Sequence, residues 1–145
     1  MCSSDLTEVL AVRHIDKENV EDHQVRQEFF QVDVQAAAQI TQARREGRRI
    51  VAVGTTVVRT LESLVGREDD APIAAQSGWT GLYIYPGFQF KFVDALLTNL
   101  HRPRSSHLVL TAALAGQDLL MRSYEEVLRD GGYEFDMFGD SMFIT

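Results

Sequence analysis

The segment "RRIVAV" (48–53) ends in a run of four apolar residues and is followed at once by "GTT" (54–56) and then by "VVRTLESLVG" (57–66). An apolar run of this length that ends in a glycine turn is typical of a buried strand, and the segment after it has helical spacing. A strand, a tight turn and a helix in that order form one half of a parallel α/β unit. This feature predicts an α/β domain.

Further strands are expected on both sides of this unit. "EFFQVDV" (28–34) and "GLYIYPG" (81–87) have the β-branched and aromatic content of strands. Residues 88–100 begin with alternating phenylalanines and then become uniformly apolar, so strand and helix are both open over 93–100. The segment 133–145 is expected to form one strand, a Gly-Asp turn and a second short strand.

Two more helices are predicted from residues that can cap them. Asp33 can cap a helix that runs to about Glu46 and stops at Gly47. Ser105 or Ser106 can cap an almost wholly apolar helix after it, and such a helix must be buried.

The last predicted helix is amphipathic and completes the architecture. Asp118 can cap it, Gly131 can end it, and Glu125 and Arg129 are spaced for a charge pair. Residues 67–77 are expected to form a polar loop, and residues 1–24 an irregular lead-in. Together these elements predict one α/β domain over residues 1–145, with three layers and a largely parallel sheet.

The composition excludes several classes of protein. Hydrophobic residues make up 45% and charged residues 24% of the 145, which is ordinary for a globular domain. Cys2 is the only cysteine, so an internal disulfide and a cysteine-based metal site are excluded. No apolar run approaches the ~20 residues of a membrane span, and the first residues lack the pattern of a secretory signal. These absences favour the cytoplasm.

The formal net charge of −7 argues against a basic surface over the whole chain, although a local basic patch can still form. One basic group lies at 44–49, and a looser one consists of Lys91, Arg102 and Arg104. For the first group, a solvated helix end is favoured over phosphate binding. The sequence does not fix the oligomeric state, so self-association stays open.

Three polar groups fall where α/β proteins place ligands, at strand ends beside helix starts. The first is Gly54, Thr55 and Thr56, with Arg59 one helical turn later. Backbone can approach a ligand at the glycine, the hydroxyls can hydrogen-bond it, and a helix start with an arginine favours an anion. Hydroxyl caps without a ligand explain the same residues, and this interpretation is favoured on the residues alone.

The second polar group consists of Asp94, Thr98, Asn99 and His101. A histidine near a carboxylate can exchange protons at neutral pH, although a lone histidine at an element boundary is more often structural. Ser105 follows, but the glycine-flanked serine of a hydrolase is missing, which excludes that class.

The third polar group is Gly139 and Asp140, which can also be a plain hairpin turn. The four histidines show no paired spacing typical of metal ligands, so no metal site is predicted.

Three blocks of the sequence, in this order and spacing, resemble a known family. They are "AVGTTVVRTLE" (52–62), "SGWTGLYIYPGFQFKFVDALLTNLHRP" (77–103) and "FGDSMFI" (138–144). They are similar to the C-terminal half of the S-adenosylmethionine:tRNA ribosyltransferase-isomerases of queuosine biosynthesis, from about residue 20 to the end.

The resemblance implies an activity. That family transfers and isomerises the ribosyl part of S-adenosylmethionine onto 7-aminomethyl-7-deazaguanine in the anticodon loop of tRNA. The product is epoxyqueuosine-tRNA, and adenine and methionine are released. The resemblance thus implies S-adenosylmethionine and tRNA as partners, with S-adenosylmethionine consumed as a substrate and no further cofactor or metal.

The resemblance also implies roles for the polar groups. Proton removal beside the sulfonium and adenine departure call for a general base and acid, for which His101 and Asp94 are the candidates. Thr98 and Asn99 would hold ribose hydroxyls or the adenine edge. The other implied contacts are Thr55, Thr56 and Arg59 with the methionine carboxylate or a tRNA phosphate, Asp140 with the substrate, and Lys91, Arg102 and Arg104 with tRNA.

Some residues depart from the family pattern. Val57 stands where the family usually has serine, Gly81 where an acidic residue is usual, and His107 where an aliphatic residue is typical. The family's N-terminal half, with its β-barrel-like domain, has no counterpart here. The alternative to the full activity is therefore a truncated, non-catalytic α/β module that keeps the fold and part of the ligand site.

Overall fold

The computed structural model describes residues 15, 18–64, 72–136 and 138–145. After a short 3-10 turn at Val20–Asp22, five strands and four helices follow one another within the described residues. They are β1 (Glu28–Val32), α1 (Val34–Arg45), β2 (Val51–Val53), α2 (Thr55–Ser63), β3 (Gln76–Thr80), β4 (Ala95–Asn99), α3 (Ser106–Ala115), α4 (Gln117–Asp130) and β5 (Ser141–Ile144). The α/β class is as the sequence predicts.

The strands form two small sheets and not one. A three-stranded sheet has the order β2-β4-β5, in which β2 is parallel to β4 and β5 is antiparallel to it. A separate two-stranded sheet pairs β1 with β3 in antiparallel fashion. The prediction of a largely parallel sheet is therefore wrong, because only the β2–β4 pair, joined through α2, is parallel.

The three-stranded sheet is covered by helices on one face within the described residues. Ala52, Leu96 and Ile144 lie across that face and pack into the main core with Val58 of α2 and Leu110 of α3. The three-stranded sheet and the helices on that face therefore form two layers, whereas the sequence predicted three.

The other face of the same sheet carries apolar side chains in contact with solvent. Val53 is 64%, Leu97 38% and Phe143 56% exposed, and the three are neighbours across the strands. The "RRIVAV" run is therefore not a fully buried strand. Its strand covers residues 51–53, and only Ala52 in it is buried.

Local capping residues fix several helix ends as predicted. The Asp33 carboxylate accepts a hydrogen bond from Ala36 N at 2.7 Å at the start of α1, and Gly47 follows that helix at φ +63°. Ser105 Oγ accepts from Leu108 N at 3.2 Å at the start of α3, and Gly131 ends α4 in the left-handed region. Asp118 is not a cap, because it lies inside α4, which begins at Gln117. The residue at the N-cap position is Gly116, whose φ of +83° turns the chain directly out of α3.

Other expectations are corrected by contacts that are distant in sequence. The segment 81–87 is not a strand, since β1 pairs with residues 76–80 instead. Residues 88–92 are not a strand either, whereas the ambiguous stretch 93–100 contains β4. Among the described residues of 133–145, which leave out residue 137, only β5 is a strand. On α4, Arg129 pairs with Glu126 in place of the predicted Glu125.

The end of α2 and parts of two predicted loops differ from expectation or lie outside the described residues. The helix begins at Thr55 and ends at Ser63, so it starts and stops earlier than the predicted 57–66. Gly66, most of the loop at 67–77 and most of the lead-in at 1–24 lie outside the described residues. No helix in the described part of the chain is long and apolar enough to cross a membrane.

A buried carboxylate explains why the predicted strand at 88–92 does not form. Glu62 of α2 is fully buried, and its carboxylate accepts hydrogen bonds from the backbone N–H groups of Lys91, Phe92 and Val93, each at 3.0 Å. These three donors cannot then serve a strand ladder. The contact fixes the approach of the chain to β4.

Candidate functional site

Residues from each of the three polar groups meet at one edge of the three-stranded sheet, although Asp94 of the second group does not lie there. β2 and β4 are parallel, so their carboxyl ends lie side by side, and Gly54 N donates to Leu97 O at 2.8 Å just beyond β2. β5 runs the opposite way and pairs Ser141 with Asn99. The Gly54 turn, the end of β4 and the start of β5 therefore form one edge, as the strand-end rule predicts. We call this the carboxyl edge.

The first part of the carboxyl edge is the start of α2. Gly54 has φ +90°, a conformation that side-chain-bearing residues rarely adopt, and no side chain caps the helix there. Thr55 is buried and Thr56 is partly buried. The backbone N–H groups of this first turn can therefore serve a ligand that reaches the edge.

The second part of the edge is the turn before β5, and β4 holds it in place. Asn99 Nδ2 donates to Gly139 O at 3.3 Å, and Leu100 N donates to Asp140 O at 3.0 Å. One oxygen of the Asp140 carboxylate accepts from Glu134 N at 2.9 Å. Asp140 is exposed, so its other oxygen can still accept a hydrogen bond from a ligand.

His101 lies just past the end of β4 in a largely buried position. Its Nε2 is 2.9 Å from Thr98 Oγ1, and its ring stacks on His107 with centroids 5.0 Å apart. Burial lowers the pKa of His101 to about 4, against the weaker opposite effect of the Asp136 carboxylate. At neutral pH the imidazole is therefore uncharged, and it can accept or donate a hydrogen bond through Nε2.

Tyr124 of α4 fixes the backbone of His101. Its hydroxyl accepts from His101 N at 2.8 Å and donates to His101 O at 3.0 Å. Tyr124 lies with Leu120 on the buried side of α4. Its role depends on a contact between residues 23 positions apart, for which the sequence carries no local signal.

We expect Tyr124→Phe to lower the free energy of unfolding by about 1–3 kcal/mol, because the backbone N–H and C=O of His101 both lose a partly buried partner. Urea denaturation followed by circular dichroism measures this change. Tyr133→Phe is the matched control at an exposed tyrosine, and we expect it to stay within about 0.5 kcal/mol. Equal stability of the two variants would contradict the anchoring role of Tyr124.

The other predicted catalytic residue, Asp94, lies at the opposite end of β4. Its Oδ2 accepts from Ile50 N at 2.7 Å, just before β2 and β4 begin. Asp94 and His101 are seven residues apart along an extended segment, a separation on the order of 20 Å at about 3.3 Å per residue. The structure thus does not bring the two side chains together, and the catalytic role of Asp94 stays a prediction.

Arg59 is occupied by contacts within the protein. Its Nε donates to Leu82 O at 2.8 Å, and its Nη2 donates to the carbonyl oxygens of Arg26 and Thr80 at 3.1 and 3.2 Å. Its Nη1 lies 2.7 Å from Oε2 of Glu28. The buried guanidinium ties α2 to both strands of the smaller sheet, and a contact with a ligand, which stays a prediction, would have to share these donors.

The three basic residues predicted to bind tRNA do not form one group. Lys91 precedes β4, whereas Arg102 and Arg104 follow it, so they flank opposite ends of the strand. Arg102 is exposed and forms an ion pair with Asp136 at 2.5 Å. Arg104 is exposed beside the carboxyl edge, with φ +58°.

No group of three or more histidine, cysteine, aspartate or glutamate side chains within the described residues is arranged to hold a metal ion. The functional atoms at the carboxyl edge are therefore hydroxyls, an imidazole, a carboxylate and backbone N–H groups. Such a set can bind a polar organic ligand and exchange protons with it.

Known proteins are similar to this chain in both sequence and fold. The family model described as "Queuosine biosynthesis protein" matches residues 7–144. Over 132 residues the chain is 48% identical to an S-adenosylmethionine:tRNA ribosyltransferase-isomerase of Heliobacterium modesticaldum and 46% identical to one of Natranaerobius thermophilus. Each match covers 91% of this chain but 38% of the relative.

A solved structure matches as well. The crystal structure of S-adenosylmethionine tRNA ribosyltransferase from Thermotoga maritima superposes with a TM-score of 0.73 at 47% identity. The match covers 81% of this chain and 40% of that one. The chain thus spans less than half the length of the relatives it matches.

Proposed function

Because the chain belongs to the queuosine biosynthesis protein family of S-adenosylmethionine:tRNA ribosyltransferase-isomerases, we propose that it carries part of that active site. The reaction transfers and isomerises the ribosyl moiety of S-adenosylmethionine onto 7-aminomethyl-7-deazaguanine in tRNA. It gives epoxyqueuosine-tRNA and releases adenine and methionine. Its partners are S-adenosylmethionine and the anticodon loop of tRNA, and we assign the activity to the cytoplasm.

The observation that carries this proposal is the meeting of three separate polar segments at the carboxyl edge. The Gly54 turn, the end of β4 and the turn before β5 are far apart in sequence but hydrogen-bonded to one another. Each of them lies inside the stretch matched by the family model. A purely structural sheet edge has no need for a hydroxyl-bonded imidazole, an exposed carboxylate and an uncapped helix start at the same place.

The chemistry assigns roles to these groups. A proton beside the sulfonium is removed and adenine leaves with a proton. The tRNA amine forms a bond to the ribosyl group, and the bond from that group to sulfur breaks and releases methionine. His101, uncharged at neutral pH, exchanges a proton with the ligand through the Thr98 hydroxyl, which is hydrogen-bonded to Nε2. Asn99 and Asp140 hold polar groups of the ribose or adenine, and Thr55 and Thr56 with the start of α2 hold the methionine carboxylate.

The alternative is a non-catalytic module that keeps the fold and part of the ligand site. The observation in its favour is coverage, since the chain matches 38% of the length of its relatives. More than half of the length of those relatives is not matched by this chain.

One assay separates the two functions. The chain is incubated with S-adenosylmethionine labelled in the ribosyl group and with tRNA that carries 7-aminomethyl-7-deazaguanine, and free adenine and labelled tRNA are measured. Label in tRNA with an equal amount of adenine supports the transferase-isomerase. Binding of S-adenosylmethionine without adenine release supports the module. A chain that binds neither substrate contradicts both.

A further inference from the structure

A basic cavity lies on the side of the sheet opposite the carboxyl edge. It forms where the end of α1 meets the start of β2 and the segment before β4, and its volume is about 330 Å³. Its basic lining residues, which we call the arginine patch, are Arg44, Arg45, Arg48, Arg49 and Lys91. The fold places Lys91 beside the arginines of residues 44–49 and away from Arg102 and Arg104.

The charge of the arginine patch is opposite to that of the chain. The full sequence has a formal net charge of −7, whereas the cavity has five basic side chains and one carboxylate, Asp94. Asp94 already accepts a backbone hydrogen bond from Ile50, and Glu46 pairs with Arg48 at 2.6 Å. Within the described residues, no ion pair joins the other four basic side chains to a carboxylate. The local field therefore favours an anion.

A solvated helix end does not account for the whole arginine patch. Arg44 and Arg45 lie in the last turn of α1, where cations are favourable on their own. Arg49 and Lys91 belong to other segments, yet they line the same cavity. The guanidinium of Arg44 also lies over the buried ring of Phe92, 4.7 Å from its centroid. This contact holds one cation in position before any ligand binds.

The position of the arginine patch indicates the size of its ligand. The cavity adjoins Asp94, and the carboxyl edge adjoins His101, so the two sites are on the order of 20 Å apart by the length of the extended segment between them. A ligand as small as S-adenosylmethionine cannot touch both sites. An RNA stem and loop can, because its phosphates are spaced regularly along a rigid helix.

We propose that the arginine patch binds backbone phosphates of the RNA whose loop reaches the carboxyl edge, an inference that rests on the proposed function. Planar guanidinium groups bind phosphate oxygens in bidentate fashion, and lysine adds a point charge. The contacts are to the backbone, so the arginine patch positions RNA without reading its sequence.

The test measures RNA binding by the chain and by two variants that each lose three positive charges. The probe is an unmodified anticodon stem-loop RNA, and its dissociation constant is measured by fluorescence anisotropy at several salt concentrations. The patch variant is Arg45→Gln, Arg49→Gln and Lys91→Gln together. The control variant is Arg26→Gln, Arg122→Gln and Arg129→Gln, which removes the same charge from exposed positions outside the cavity.

We expect the patch variant to bind the probe about 100-fold more weakly at 0.1 M salt, with a salt slope smaller by about 2, since each phosphate contact contributes about 0.7 to that slope. The control variant should change the affinity by less than about 3-fold. Equal losses in the two variants, or no binding of the probe by the unchanged chain, would overturn the inference. Weakened binding by the patch variant alone upholds it even if the chain releases no adenine, so failure of the proposed activity is seen separately.

Discussion

Arg59→Met should lower the free energy of unfolding by about 3–5 kcal/mol, the range found when one partner of a buried ion pair is removed. The substitution leaves the mostly buried carboxylate of Glu28 without its cation and removes the donor from three backbone carbonyl groups. Methionine keeps most of the volume, so the loss reports the polar contacts and not a cavity. Urea denaturation at neutral pH measures it.

Two further variants give this experiment its controls. Arg129→Met breaks the exposed pair with Glu126 and should cost less than about 1 kcal/mol. The double variant Arg59→Met with Glu28→Met removes both buried charges and should recover part of the stability. If Arg59→Met leaves stability unchanged but abolishes binding of S-adenosylmethionine, then Arg59 is a ligand-binding residue, as the family resemblance implies, and not a structural one.

The elements that the sequence predicts well are those whose signals are local. Asp33, Gly47, Ser105 and Gly131 each act within three or four residues, and each has its predicted place at a helix end. Asp118 had the same local signal, but the positive φ of Gly116 begins the helix before Asp118 can cap it. Local signals predict helix ends unless a neighbouring turn acts first.

The elements that the sequence predicts poorly depend on distant partners. The alternating phenylalanines at 88–92 favoured a strand. However, the carboxylate of Glu62, which belongs to α2, accepts hydrogen bonds from the backbone N–H groups of residues 91–93. Segment 81–87 has strand composition, but the edge of β1 is already paired with β3. A choice between two chain segments for one sheet edge is a tertiary effect that overrides composition.

The candidate site divides in the same way. The rule that ligands meet parallel strands at their carboxyl ends led to candidate residues after β2 and at the end of β4, and the Gly54 turn does lie beside the end of β4. Asp140 reaches the same edge through the antiparallel strand β5, which that rule does not cover. The rule also could not predict that β4 separates Asp94 from His101, since the sequence left strand and helix open over that segment. A helix of the same length would have brought the two closer, at about 1.5 Å per residue. The extended conformation of residues 95–99 thus places the two predicted catalytic residues at opposite ends of β4.

Substitution of His101 should have the largest effect on activity. The effect is measured in a hybrid enzyme, in which the matched segment of this chain replaces the aligned segment of the Heliobacterium modesticaldum relative, which is 48% identical. In that hybrid we expect His101→Gln to lower the rate of adenine release at saturating substrates by about 100- to 10,000-fold, the usual contribution of a positioned proton-transfer group. Glutamine keeps a polar atom near Thr98, so a purely structural role would leave this rate within about 3-fold.

The pH dependence of the hybrid identifies the protonation state that acts. The pKa of His101 is lowered to about 4, so the neutral imidazole predominates above about pH 5 and is lost only as the pH falls through 4. A plot of the rate against pH should therefore show no inflection near pH 6.5 that belongs to His101. An inflection belongs to His101 if it is absent from the His101→Gln variant. Such an inflection would mean that His101 is solvated in the enzyme and would contradict its burial. Asp94→Asn is the companion variant. An equal loss of rate in this variant would support Asp94 and His101 as the predicted acid and base. A loss of rate in the His101 variant alone assigns proton transfer to the carboxyl edge.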